Sequence, residues 1–505
     1  MERRDTTRYM AALALGLSFA PSLMRRRRRE QLAVSAGSAA LGAAAGWAAE
    51  SAVVQLARRL EGGETAARLT VAGVGAAASL SRLDRAGPAL ALVGTGARVA
   101  GIAALIGWAA PERRRVSGFD PLPIAAAGAL ALGVQAVRAT KRRRGRPPFP
   151  YPCDPYPPGA SYGPDSLVQR LDFEGQRFVA GTSTGLASDP VRVFVGLRSA
   201  PNVGARCDLA VAELERLGAF DKARLVVCSA TLRGYVNPVP IAAEEVLADG
   251  DVAHVVVQYF DRRTPWLWRK VPIAAQTHRE LLERLRHRSG PELCLYGESL
   301  GAWASQQVFR DAGPEELDRR GIARALWVGT PHLSRFGRRA RRDPRMQVLR
   351  TRDVLHGDPP DLLRFVLLER LTDPVVMFPG LELLWRRPPW SKSHPTGSWK
   401  PGISFVQGLL DLVKATRWTA EQPSAEGHDY RIELPLVVNL AFGHRRPREE
   451  AEAIGRRVLE TEAVRAANVR AARASARTER SARTPRRSRR WRSSAPASPA
   501  GPAPR

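Results

Sequence analysis

The feature that most constrains this chain is the run Leu293-Cys294-Leu295-Tyr296-Gly297-Glu298-Ser299-Leu300-Gly301, followed by Ala302-Trp303-Ala304-Ser305-Gln306-Gln307-Val308-Phe309. A short apolar strand enters Gly-x-Ser-x-Gly and leaves as a helix. A turn this sharp holds its serine in a strained conformation, and a side chain at Gly297 or Gly301 would collide with neighbouring backbone. The helix N-terminus at the turn also favours negative charge developing there. The plain alternative is an ordinary strand-turn-helix; the context favours a nucleophilic Ser299.

Around this motif the sequence reads as globular from about residue 166. Strand-like runs recur at Val191-Arg192-Val193-Phe194-Val195, Arg224-Leu225-Val226-Val227-Cys228, Ala253-His254-Val255-Val256-Val257, Leu293-Cys294-Leu295-Tyr296, Ala325-Leu326-Trp327-Val328 and Phe365-Val366-Leu367-Leu368. Helix-like stretches such as 205–218 and 272–288 lie between them. Apolar strands alternating with helices predict an α/β domain over 166–444, with a mostly parallel sheet covered on both faces.

The first 144 residues differ. Ala, Gly, Leu and Val dominate blocks at roughly 9–24, 31–57, 69–81, 87–111 and 121–137, separated by charge. Several approach the ~20 residues that cross a bilayer. Gln31 to Ala49 shows no charged face, which argues against a soluble bundle. Gly42-x-x-x-Gly46 offers a small face for close packing in lipid, and Arg98 interrupts the fourth block. The expectation is an N-terminal Ala/Gly-rich transmembrane region of four or five helices, retained as an anchor because no small-x-small cleavage site precedes the run Arg25 to Arg29. Arg25 to Arg29 and Lys141 to Arg144 then belong on the cytoplasmic side, and with an odd number of spans the catalytic part does too. Residues 145–165, with Pro147, Pro148, Pro150, Pro155, Pro157 and Pro158 among their prolines, read as a stiff linker.

The 505 residues carry a formal charge of +29. The basic stretch 445–505 predicts a helix over about 448–475 and a disordered end, a tail suited to a solvated or lipid-surface role. Nucleic-acid binding is disfavoured because no stacking aromatics are interleaved apart from Trp491. Cys153, Cys207, Cys228 and Cys294 show neither metal-ligand spacing nor a disulfide framework, and no metal or organic cofactor is implied.

A serine hydroxyl needs an imidazole to take its proton and a carboxylate to orient that imidazole. After Ser299 the histidines are His332, His356, His394, His428 and His444. His428 is favoured by its place late in the domain, after a Pro-, Ser- and Gly-rich loop. Asp373 follows a late strand and precedes Pro374; Asp353, Asp358, Asp361 and Glu382 are rivals. Oxyanion donors are expected from the N–H of Leu300 and from the loop Thr231-Leu232-Arg233-Gly234, with Leu232 the candidate there.

Gly297-Glu298-Ser299-Leu300-Gly301, Ala325-Leu326-Trp327-Val328-Gly329, Asp373-Pro374-Val375-Val376, Leu383-Leu384-Trp385-Arg386-Arg387-Pro388-Pro389-Trp390 and Gly427-His428-Asp429-Tyr430 together resemble the actinobacterial membrane-anchored alpha/beta-hydrolase family. Ser18-Phe19-Ala20-Pro21-Ser22-Leu23 is similar to the motif closing that family's first membrane helix, so the resemblance spans about 8–440. It implies Ser299 as nucleophile, Asp373 as acid and His428 as base. The expected function is a membrane-anchored serine hydrolase cleaving a lipid or other apolar acyl ester, its partners the bilayer and that substrate. Trp266, Trp268, Trp385 and Trp390 are candidates for an acyl pocket or interfacial belt. The rival is a catalytically silent membrane protein using the domain as a scaffold.

Overall fold

The computed structural model describes residues 3–60, 63–80, 97, 99–104, 151–152, 170–231, 234–260, 271–356, 363–384, 386–388, 399–400, 402–415 and 422–483. Its centre is a seven-stranded sheet, every neighbouring pair parallel, in the order β1-β3-β2-β4-β5-β7-β6. The strands are β1 (Val191–Val195), β2 (Arg224–Ser229), β3 (Val252–Val257), β4 (Glu292–Glu298), β5 (Arg324–Val328), β6 (Met346–Arg350) and β7 (Phe365–Glu369). Six coincide with the apolar runs expected from sequence. The seventh, β6, pairs only with β7, and its pattern of buried and half-buried residues gave no continuous apolar run.

The N-terminal part holds α1 (Arg3–Leu17), α2 (Arg28–Ala57) and α3 (Gly63–Leu80). The helices α1 and α2 form a hairpin whose close approach requires glycine: a Cβ on Gly42 would lie 2.3 Å from the carbonyl oxygen of Met10, and one on Gly46 2.9 Å from that of Thr6. Buried Glu50 is met by Thr6 and by Arg68 of α3. The expected four or five membrane helices are not shown by the described residues. Among the described residues one helix, Arg28–Ala57, is long and apolar enough to cross a bilayer, and a buried core helix or a signal sequence meets the same test. The first block instead lies largely on α1, which carries Arg3, Arg4, Asp5 and Arg8; the third lies on α3 with Glu64 and Arg68. Most of the fourth block and all of the fifth lie outside the described residues.

The helices of this part include α4 (Phe173–Ala180), α5 (Val203–Arg216), α6 (Pro238–Leu247), α7 (Val271–Leu285), α8 (Leu300–Gln306), α9 (Pro374–Met377), α10 (Ile403–Ala415), α11 (Leu434–Ala441) and α12 (Arg448–Arg483), besides other short helices. Successive side chains of a strand point to opposite faces. Cys294 and Tyr296 accordingly pack with α6, α11 and α12, whereas Leu295 and Trp327 pack with α5 and α7. The segment after residue 445 is therefore not wholly a tail. Ala451, Ile454 and Val458 of α12 are buried in the first of these cores, and the helix runs on to Arg483. Tyr151, in the proline-rich stretch, stacks on Phe173 at 5.5 Å and donates its N–H to Gln176.

Candidate active site

In doubly wound sheets, sites form beyond the carboxyl ends of strands where the strand order reverses. Here the chain builds outward from β2 to β3, then crosses to β4 and proceeds the other way, so the switch lies between β2 and β4. Ser299 stands at the end of β4. Its backbone sits at φ 57° and ψ −122°, a conformation uncommon for a residue with a side chain, and it precedes the first residue of α8. Its N–H donates to the carbonyl of Val328 at 2.8 Å. The flanking glycines admit the turn: a Cβ on Gly301 would meet the Ser229 carbonyl oxygen at 2.2 Å, and one on Gly297 the backbone of Ala302 at 3.0 Å. Ser299 is half-buried, as are Glu298 and Leu300.

Asp373 is fully buried just beyond β7, at the N-cap of α9. One carboxylate oxygen, Oδ1, accepts the N–H of Val375 at 2.8 Å; the other accepts from His428 Nδ1 and from the Tyr430 hydroxyl, each at 2.6 Å. With Nδ1–H given to the carboxylate, a neutral imidazole presents its lone pair at Nε2. That atom is buried and has no hydrogen-bond partner. Buried polar atoms are almost always paired, and this nitrogen is left open to a further group.

The structure thus joins Asp373 to His428 and makes no hydrogen bond between His428 and Ser299. Both nonetheless rest on one short segment. Val328 takes the Ser299 N–H, and the next residue, Gly329 (φ 56°), lies so close to the imidazole that a Cβ there would stand 2.6 Å from His428 Cε1. A side chain at 329 would displace the histidine.

The charges set the ionisation. Burial pushes the His428 pKa down, but the Asp373 carboxylate, by charge and hydrogen bond, outweighs it with help from Glu298, leaving the imidazole above its ordinary value. Burial raises Glu298 above its ordinary value, only partly offset by His428 and by donors from Asn237 and Tyr296. Tyr430 is pushed well above the usual phenol value, chiefly by burial and then by Asp373, so it stays a hydrogen-bond donor.

A second set of contacts fixes the histidine loop. Arg370 donates to the carbonyls on either side of His428, those of Gly427 at 3.3 Å and Asp429 at 2.7 Å, and its other nitrogen meets Glu433 at 2.6 Å. The Arg370 N–H donates to the Tyr430 hydroxyl. Asp429 pairs with Arg431 and accepts the Ser424 N–H. Neither Tyr430 nor Arg370 was assigned a role from sequence. Tyr430 lies within the Gly-His-Asp-Tyr motif, the one signal that could have found it; Arg370 carries none.

The other candidates are placed elsewhere. His444 lies at the opposite end of the sheet, 2.7 Å from Glu244. His332 is half-buried beyond β5, its N–H on the Val375 carbonyl, and its side chain is not on Asp373. Asp353 and Glu382 are exposed. The side chain of His356, and all of His394, Asp358, Asp361, Leu232, Trp266, Trp268, Trp385 and Trp390, lie outside the described residues. Leu300 opens α8, where N–H groups lack intrahelical acceptors. Thr231 closes the other loop by exchanging backbone hydrogen bonds with Tyr235. No group of metal-binding side chains occurs among the described residues.

Residues 191–442, from β1 to the residue after α11, match the model of an alpha/beta-hydrolase family. Comparison with curated proteins and with solved structures gave no match. The chain therefore carries an alpha/beta-hydrolase domain over residues 191–442, built on a seven-stranded, wholly parallel sheet.

Proposed function

We propose that this domain is a serine hydrolase that cleaves a carboxylic ester of a lipid or other apolar acyl compound. The carrying observation is the buried, orphaned Nε2 of His428, whose Nδ1 is held by Asp373 at 2.6 Å, at the same sheet end as strained Ser299. His428 Nε2 takes the Ser299 hydroxyl proton as Oγ bonds to the ester carbon. Charge on the carbonyl oxygen is met by the Leu300 N–H and a donor of the loop after β2, Leu232 being the candidate. The intermediate collapses, the C–O bond breaks, and the alcohol leaves with the proton from His428. Water then repeats the sequence on the acyl-serine and releases the acid.

Alpha/beta-hydrolase family membership supports hydrolysis, and α2 supports an anchor. In this reading α2 crosses the bilayer with Arg25 to Arg29 on the cytoplasmic side, and the domain, tied to residues 18–30, lies on that side. The further spans within 81–144 belong to the same proposal.

Fluorophosphonate labelling of detergent-solubilised protein tests it. Labelling of wild type that vanishes in Ser299→Ala and His428→Ala is expected; well-folded wild type that takes no label would favour the scaffold reading.

A further inference from the structure

The helix α10 has its polarity reversed. On a helical wheel Ser404, Gln407, Asp411 and Lys414 share one side with Gly408 and Ala415, and Phe405, Val406, Leu409, Leu410, Leu412 and Val413 make up the other. In a helix on a water-facing surface the apolar side is turned inward. Here Gln407 and Asp411 are 4% and 2% exposed, whereas Leu409 and Val413 are 43% and 46% exposed.

The polar side is used up by the N-terminal hairpin. Gln407 Nε2 donates to the carbonyls of Ser18 and Ala20 at 3.3 and 3.0 Å, Asp411 lies 3.8 Å from Arg26, and Lys414 reaches Glu30 at 3.1 Å. At the other end of α10, a Cβ on Gly402 would lie 2.6 Å from the Leu41 side chain. Lys414 at the level of Glu30 and Gly402 at the level of Leu41 set α10 antiparallel along the first half of α2. Eleven residues of helix rise about 16 Å, roughly half of the ~30 Å hydrocarbon layer.

We propose that α10 is a second membrane-contacting element, its Leu409–Val413 face lying among lipid acyl chains beside α2. This rests on the reading of α2 as a membrane span. The occupant is lipid because the outward face continues alongside the helix apolar enough to span, and because exposed Arg25, Arg27, Arg28 and Arg29 gather with Lys414 at one end, where anionic headgroups match them. The site is tied to this surface. Phe405 of α10 stacks on Phe378, directly after α9, at 5.8 Å; Leu23 packs with Val376 and Met377 of α9; and a Cβ on Gly427 would strike Met24. The acid and base therefore stand against the leaflet, and the ester arrives from the bilayer.

The test uses the full chain in anionic-lipid nanodiscs, with Cys153→Ser leaving the buried cysteines, and single spin labels at Leu409→Cys, Val413→Cys, Trp47→Cys on α2 and Glu283→Cys on α7. Oxygen partitions into lipid and a nickel chelate into water. Positions 409, 413 and 47 should be relaxed by oxygen and 283 by nickel. Nickel access at 409 and 413 with 47 in lipid overturns the inference alone. Nickel access at all four overturns the anchored reading and the inference with it. A second variant, Leu409→Glu with Val413→Glu, should keep hydrolysis of a short soluble ester and lose about tenfold or more on an ester held in vesicles, through lost local concentration; equal loss on both substrates overturns the inference.

Discussion

Two serine–histidine neighbourhoods lie at the ends of adjacent strands, and they differ instructively. Ser229 closes β2 and its hydroxyl is 2.7 Å from Nε2 of His278 on α7, the very contact that Ser299 and His428 do not make. Yet Ser229 is 2% and His278 3% exposed, and burial alone pushes His278 down to about 4. Ser299 is half-buried at a strained turn, and His428 is held above its ordinary value by a carboxylate. A formed hydrogen bond is thus no mark of a nucleophile. Access, an orienting acid and an unclaimed nitrogen distinguish the second pair.

The largest test of that contrast exchanges the serines. Ser299→Ala should lower kcat by about 10⁴-fold or more, while Ser229→Ala should leave turnover within a few-fold and cost about 1–3 kcal/mol of stability. Turnover kinetics beside denaturant melts would read both, and a silent Ser299→Ala would end the assignment. Next, Asp373→Asn should cost about 10⁴-fold in kcat by fixing the wrong tautomer. Tyr430→Phe removes one of that carboxylate's donors and should cost about 10- to 100-fold, since hydrogen bonds to charged groups contribute about 1.5–3 kcal/mol; an unchanged rate would make Tyr430 purely structural.

The smallest effects are in pH. The base must be neutral, so kcat/KM should fall on acidification through a pKa above about 6.5, and Asp373→Asn, leaving burial opposed by Glu298 alone, should move that limb downward. His278 behaves oppositely. The unfolded chain takes up a proton below about pH 6.5 that the folded chain refuses until about 4, so stability is lost as pH falls through that window. His278→Gln should be less stable at pH 7.5 yet lose less Tm on going to pH 5; an identical pH slope would remove His278 from the account.

The sequence carried most of the sheet because buried parallel strands are continuous apolar runs. It hid β6, an edge strand buried on part of its length, and the buried stripe Ala451, Ile454 and Val458, which recurs at helical spacing inside an Arg- and Glu-rich segment. Ser299 was legible from its glycines. His428 and Asp373 were legible only with the motifs around them, and their pairing across 55 residues is a fact of folding. Arg370 was invisible because its partners are mostly backbone carbonyls, which any sequence supplies. Of the alanine-rich blocks, those on α1 and α3 share their helices with charged residues, which a reading of the apolar blocks alone passes over.

The cross-tie between Gln407 and the carbonyls of Ser18 and Ala20 joins groups 389 and 387 residues apart. At about 5–20 residues per second of synthesis, the loop of the first hairpin waits roughly 20–80 s for the helix that covers it. During that interval the Ser18–Ala20 turn of a nascent chain stays without the helix that later covers it, although α1 already has its hairpin partner α2.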